Sequence, residues 1–395
     1  MQKKLLILNG SFCELPLIQE AKKMGYYVIT TGNMPNLVGH QYADEYINAD
    51  YSDKELILKI VKEKGIDRII SCANDFGVLT ACYVAEKMGW PGHDSYETAV
   101  TLHHKDKFKE FVYENEIPSP HSYVFTDIET AKKHVEDVEY PIIVKANDLT
   151  GGKGIMKAEN IQEAELAIEN AFNRSRDKHI VIEPFIIGTQ HTVVTFLVNR
   201  KIVASSSCNC YSPINPYLIQ TEVLPADDIE ELKPELFGII EKIADKLQLA
   251  DGIIALQYIK KPNGKPYIIE TMRRCFGNQF LTVVSMESGF PWEKAEVMAE
   301  TGMDCSDLEC GEPKAKYCGH HGIMATRNGV LKSYTIDPSI EKHIFQKIEM
   351  LQPGDRLNDY LNERIAYIHY TYEDREEMIQ AAKTFNDLIK IEFED

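Results

Sequence analysis

Apolar residues recur in two rhythms along the N-terminal quarter of the chain. Unbroken apolar runs at residues 3–8, at Tyr26–Thr30 (YYVIT) and at Asp67–Cys72 (DRIISC) predict buried parallel strands. Between them lie helical stretches at Leu15–Met24, Asp53–Lys64 and Val78–Met88. In the second of these, Leu56, Ile57, Ile60 and Val61 share one face, and Gly65 supplies a C-terminal stop. Strands alternating with helices at this spacing predict a doubly wound parallel sheet over residues 1–95. Ligands of such sheets sit beyond the carboxyl ends of the strands, where Gly10, Thr31, Gly32, Asn74 and Asp75 fall. The loop NGSF after the first run is not a GxGxxG fingerprint, so a dinucleotide is not expected there.

A different rhythm follows. A helix over 102–116 runs into Ile117-Pro118-Ser119-Pro120, a hinge that closes a connecting segment at 96–120. Strand 121–125, helix 128–137, strand 141–146, a glycine loop, helix 161–172 and strand 179–183 predict a small α+β unit over 121–188. From residue 189 to 310 the strands lengthen: HTVVTFLVN, KIVASSSC, GIIALQYIK and KPYIIETM predict an antiparallel sheet, with helix 229–248 packed on it. Asn263-Gly264 signals the hairpin between the last two. Residues 311–395 form an α/β extension with strands near 319–325 and 364–371 and a helix at 373–388.

Composition narrows the function classes. The 395 residues carry a formal net charge of −18, which argues against nucleic acid or an anionic membrane surface as the main partner. No apolar run reaches the ~18 residues a spanning helix needs. The start MQKKLLILNG is too short for a secretory signal and reads as the first strand. Nine cysteines include no CxxC pair, and Cys208-x-Cys210 has no matching partner cluster in the sequence. An odd count without a signal fits reduced structural thiols in a cytoplasm, rather than a metal or redox site.

Three segments carry candidate chemistry. In YPIIVKANDLTGGKGI an apolar strand ends at Lys145 and leads to Gly151, Gly152, Lys153 and Gly154. Glycines let backbone N–H groups approach an anion, and the two lysines supply charge, so the stretch reads as a phosphate loop or as a hairpin turn carrying lysines. It is not a Walker motif. In ALQYIKKPNGKPYIIETMRR the turn lies nearly midway between Gln257 and Glu270, so their side chains should face each other across the ladder. Two such oxygens suit Mg²⁺, although a solvated hairpin edge has the same pattern. Arg274 follows, where its guanidinium would stabilise a transferring phosphoryl group. In VIEPFIIG, Glu183 beside Phe185 and Ile186 offers an acceptor and a flat apolar wall for a purine, or else ends a core strand.

Taken in this order, these segments resemble the ATP-grasp superfamily, in the branch with biotin carboxylase, carbamoyl phosphate synthetase, D-alanine–D-alanine ligase and the L-amino acid ligases. The resemblance covers essentially the whole chain. HKDKFKEFVYENEIPSP matches the family helix that begins with a lysine and ends in a Pro-x-Pro hinge, with Lys105 as the nucleotide-binding lysine. The resemblance implies Lys145 and the Gly151–Gly154 loop on the phosphates, and Glu183 with Phe185 and Ile186 at the adenine. Gln190 takes the ribose position, Gln257 and Glu270 are the magnesium ligands, and Arg274 is the catalytic arginine. Met272 stands where the family places a metal-binding Asn, and a thioether is a poor Mg²⁺ ligand.

The implied activity is an ATP-dependent ligase. A substrate carboxylate is activated as an acylphosphate with release of ADP, and an amine or ammonia then displaces phosphate. Alternatives are a carboxylase or carbamoyl-phosphate-type enzyme acting on bicarbonate, and a non-catalytic ATP-binding protein. ATP and Mg²⁺ (or Mn²⁺) are the implied cofactors, small carboxylates and amines the partners, and a homodimer the common assembly of the branch. The candidate substrate wall comprises Gly10, Ser11, Asn74 and Asp75, then Cys275, Phe276, Gly277, Asn278 and Gln279, with His320, His321 and Arg327. Asp75 reads either as a contact for a substrate ammonium or as part of a helix cap, and His320-His321 as a base or as structural strand histidines.

Overall fold

A computed structural model of the chain describes residues 2–149 and 151–394; Thr150 of the glycine-loop stretch lies outside the described residues. Four strands open the fold: β1 (Lys4–Leu8), β2 (Tyr27–Gly32), β3 (Glu45–Asn48) and β4 (Arg68–Ile70). They form an all-parallel sheet in the order β3-β2-β1-β4. Leu5, Leu6, Ile7 and Leu8 are wholly buried, because helices cover both faces and neither side of the central strand meets water. The helix Lys54–Lys64 is capped by Asp53, which accepts from the Leu56 amide, and stops at Gly65 with φ 60°.

The expected helix over 102–116 is two helices, Tyr96–His103 and Lys105–Glu114, because His104 adopts an extended conformation between them. Next come β5 (Tyr123–Phe125), β6 (Ile142–Ala146), β7 (Ile155–Ala158) and β8 (Ile180–Pro184), an antiparallel sheet in the order β5-β8-β6-β7. Helix Ile161–Arg174 lies on it through Ala164, Ala167, Ile168, Ala171 and Phe172, spaced three or four apart.

The remaining strands are β9 (Thr189–Val198), β10 (Lys201–Tyr211), β11 (Thr221–Leu224), β12 (Gly252–Lys260), β13 (Pro266–Met272), β14 (Tyr317–Ile323), β15 (Gly329–Ile336), β16 (Ile344–Glu349), β17 (Arg356–Leu357), β18 (Ala366–Tyr372) and β19 (Ile389–Phe393). Eight of them make one antiparallel sheet, β13-β12-β9-β10-β11-β14-β18-β16. Helix Ile229–Leu247 buries Leu236, Ile240 and Ile243 against one face, among Val193, Leu197, Ile254 and Leu256. Helices Phe280–Ser288 and Trp292–Glu300 back the other face around Phe196, Phe290 and Trp292. The expected strands near 319–325 and 364–371 are β14 and β18, and they continue this sheet. A small sheet, β17-β15-β19, and helix Arg375–Leu388 complete the C-terminal part. β15 and β16 escape the sequence pattern because they are largely half-exposed and lack a continuous apolar face.

Candidate active site

The turn of the hairpin β12–β13 sets Lys260 opposite Pro266 and Tyr258 opposite Ile268, a register that would place Gln257 opposite Ile269, and a β-bulge between Gln257 and Tyr258 shifts it by one residue. Gln257 faces Glu270 across the ladder, and Gln257 faces Thr192 on its other side. Gln190, two residues before Thr192 on the same face, donates from Nε2 to Gln257 Oε1 at 3.3 Å. Ladder partners share a face, so a polar row runs across the sheet: Glu270, Gln257, Thr192 and Cys208, then Cys210, Glu222, His320 and His369.

A cavity of about 280 Å³ opens on this row. One end is lined by Lys105, Gly151, Gly152, Gln190, Gln257, Glu270, Met272 and Arg274, and the far end by Glu222, Asn278, His320, Arg364 and Tyr367. A smaller adjoining cavity, sharing Lys105 and Glu270, is lined by Asp75, His103, Lys109, Lys145 and Glu183.

Glu183 sits at the end of β8 and is 1% exposed. Its Oε2 meets Lys145 Nζ at 2.6 Å, and its Oε1 meets Lys109 Nζ at 3.0 Å and the Ser122 hydroxyl at 2.6 Å. Burial would raise this carboxyl, but Lys109 and Lys145 overcome it and hold Glu183 down at about 2. Lys109 shares that one carboxylate with Lys145, and burial brings it down to about 8. The neighbouring Lys145 ammonium adds to that lowering of Lys109, and the attraction of Glu183 only partly offsets the two.

Lys105 donates to the carbonyls of Leu149, at 2.5 Å, and Asn147, which fixes the approach to the glycine loop. Gly151, Gly152 and Gly154 all have φ near +70°, a conformation that β-carbons disfavour. A β-carbon on Gly152 would also lie 2.6 Å from the Tyr217 carbonyl oxygen. The segment 212–220 thus presses on the loop, and the Tyr217 hydroxyl accepts from the Lys157 amide of β7 at 2.7 Å. On its other side Asn215 donates to the Leu361 carbonyl.

Arg274 is 8% exposed. It donates from Nε to Asp75 Oδ1 at 2.5 Å and from Nη1 to the Cys275 carbonyl at 3.0 Å. Asp75 also contacts His103 Nδ1 at 3.2 Å, while Asn74 performs the helix cap by accepting from the Phe76 amide. Asp75 is therefore engaged by Arg274 and His103 within the protein.

Other expected residues lie apart from the main cavity. Lys153 is exposed and is not among its lining residues. Phe185 and Ile186 are half-buried; the Phe185 amide donates to the Pro141 carbonyl, and its ring lies 4.4 Å from the Lys157 ammonium. Within the proposed wall, Phe276, Gly277, Asn278 and His320 line the cavity. His321 points to the opposite face, bonded to Thr221 and packed on Phe385. Ser11 is bound to Glu14, a β-carbon on Gly10 would strike the His40 ring, and Arg327 lies over Phe393. Arg364 stands at the cavity instead of Arg327. Lys109 escaped the sequence reading, although it lies one helical turn from Lys105 on the same face. Tyr217, Glu222, Arg364 and Tyr367 carry no local signal, since tertiary contacts alone bring them here.

Residues 103–214, from the end of helix Tyr96–His103 to just past β10, match the family model described as "Phosphoribosylglycinamide synthetase, ATP-grasp (A) domain". Residues 103–214 carry an ATP-grasp domain, and the chain has the ATP-grasp fold. The carbamoyl phosphate synthase large chain of Clostridium acetobutylicum is 23% identical to this ATP-grasp chain over 320 residues, 77% of the chain and 28% of that protein. The phosphoribosylamine–glycine ligase of Haemophilus influenzae is 22% identical over 260 residues, 61% of the chain and 60% of that ligase. The chain thus spans less than two thirds of either relative. In fold it is similar to the crystal structure of L-amino acid ligase from Bacillus licheniformis, with a TM-score of 0.82, 17% identity and coverage of 100% of this chain and 99% of that one.

Proposed function

We propose that this ATP-grasp chain is an ATP-dependent, ADP-forming ligase that activates a small carboxylate as an acylphosphate and transfers the acyl group to an amine or ammonia. The observation that carries the reading is the single cavity that gathers Lys105, Gly151, Gly152, Gln257, Glu270 and Arg274 beside a separate polar far end. The first group of residues fits a nucleotide triphosphate: glycine amides and ammonium groups for the phosphates, and a paired amide and carboxylate oxygen for a hard cation. Mg²⁺ held by Gln257 and Glu270 would neutralise phosphate charge, and Met272 adds no oxygen to that set.

The chain's own residues divide the work. Arg274, fixed by Asp75, presents a buried guanidinium where charge develops on the phosphoryl group in flight. Lys105 and Lys145 orient the phosphates, and Glu183 keeps the Lys145 ammonium in place. The segment 212–220, closed against the glycine loop, keeps water from the acylphosphate. At the far end Arg364 has a buried Nε without a hydrogen-bond partner among the described residues, which suits an anionic group of the acceptor or acid.

The test is release of ADP and phosphate from the purified chain with MgATP against a panel of amino acids, other carboxylic acids and bicarbonate. Carboxylate-dependent turnover that also requires an amine supports the ligase. Stimulation by bicarbonate alone would turn the assignment to a carboxylase, and tight ATP binding without turnover on any panel member would end the ligase reading.

A further inference from the structure

The floor of the core sheet holds a cluster that nucleotide chemistry does not use. Cys208 and Cys210 point to the same face of β10, and the adjacent strand β11 pairs Glu222 with Cys210. The sequence shows a CxC pair without a partner; the hairpin supplies one. The two sulfurs lie 3.7 Å apart, and Cys208 Sγ lies 3.6 Å from Glu222 Oε1. A tetrahedral ion with metal–sulfur bonds of about 2.3 Å and metal–oxygen bonds of about 2.0 Å has edges of about 3.8 Å between sulfurs and about 3.5 Å from sulfur to oxygen. All three ligand atoms fall within 4.8 Å of one another in a buried setting.

We propose that Cys208, Cys210 and Glu222 form a binding site for a thiolate-preferring divalent cation of the Zn²⁺ class. Softness sets it apart from the oxygen pair Gln257 and Glu270, which suits Mg²⁺. The outer shell is in place. Glu222 turns its second oxygen to Asn278 Nδ2 at 3.0 Å and to His320 Nδ1 at 3.2 Å. His320 is 1% exposed, and neither ring nitrogen has another partner among the described residues. A ligating carboxylate held in this way keeps its orientation. Thr192 Oγ1, 3.4 Å from Cys210 Sγ, brings a cavity-lining hydroxyl against the cluster. Binding would release the two thiol protons and fix Glu222 in the cavity wall.

The experiment uses the full chain, stripped with chelator under a phosphine reductant and titrated with Co²⁺ in excess Mg²⁺ without nucleotide. One equivalent of Co²⁺ with a thiolate-to-cobalt charge-transfer band, displaced by Zn²⁺, is the expected result. Cys208→Ser and Cys210→Ser should each abolish the band, Glu222→Gln should weaken binding at least tenfold, and Cys318→Ser, a buried thiol outside the cluster, should leave it intact. No charge-transfer band in the unmodified, folded chain would overturn the proposal. So would a band that survives in both Cys208→Ser and Cys210→Ser. Because no nucleotide is present, neither result depends on the ligase reading.

Discussion

Arg274 and Asp75 stand 199 residues apart in sequence and are joined by a 2.5 Å hydrogen bond from the guanidinium Nε. The bond ties the end of β13 to the first turn of the helix Asp75–Met88, so the parallel-sheet unit holds the arginine of the core. Burial opposes charge on Asp75, yet Arg274 and His103 keep its carboxyl well below the usual range. Asp75→Asn should therefore lower kcat for ADP release by roughly tenfold with little change in the KM for ATP, and Arg274→Ala by on the order of 100-fold or more. Unchanged kcat in Asp75→Asn would show that Arg274 needs no such support.

The glycine loop separates two costs. Gly151 and Gly152 have similar positive φ values, 67° and 76°, so alanine at either carries about 1 kcal/mol of backbone strain. Only at Gly152 does the new methyl meet the Tyr217 carbonyl, whereas at Gly151 it has a single neighbour, Leu218, at 4.0 Å. Gly152→Ala should raise the KM for ATP roughly tenfold, and Gly151→Ala only a few-fold. Equal effects in steady-state assays would mean that closure against Tyr217 is unimportant.

The buried carboxylate of Glu183 gives a signed pH dependence. Its folded value of about 2 lies below its ordinary 4.5, so its ionisation stabilises the fold fully above 4.5, and that contribution is lost as pH falls through about 2. Glu183→Gln leaves Lys109 and Lys145 without their anion and should melt lower than the parent near neutrality. The difference in Tm should narrow as the pH is taken from 4.5 toward 2. A difference that stays constant over that range would mean that Glu183 charge is not what the two lysines require.

The hairpin oxygens predict opposite shifts in cation demand. Glu270→Gln should raise the Mg²⁺ concentration for half-maximal activity by roughly tenfold or more, while Gln257→Glu, which adds a second carboxylate opposite the first, should lower it. A titration of ADP release against Mg²⁺ at saturating ATP reads both. If Gln257→Glu raises the requirement, the pair does not share a cation.

Much of this fold was legible because its signals are local. The wholly buried run Leu5–Leu8 marks a central parallel strand, and Asn263-Gly264 marks the hairpin that joins the strands of Gln257 and Glu270, although the bulge that sets the two opposite each other has no sequence signal. What was hidden depends on contacts between distant segments. Lys109 lies on an apolar helix face among Phe108 and Val112, and only the arrival of β8 gives its charge a partner. Glu222 reads as an ordinary strand residue until β10 and β14 flank it with thiols and imidazole. Asp75 reads as an ammonium contact or as part of a helix cap with Asn74 until Arg274, 199 residues further along the chain, closes on it.

The segment 212–220 binds the sheet β5-β8-β6-β7 through Tyr217 and the C-terminal part through Asn215. If the sheet β5-β8-β6-β7 lifts to exchange nucleotide, the Lys157–Tyr217 bond must part, while the Asn215–Leu361 bond can hold. The segment then works as a latch with its catch on the nucleotide side and its pivot on the acceptor side. Under the proposed ligase function both compartments would share one door, and an acyl group activated at one end would be enclosed with its acceptor until that door opened.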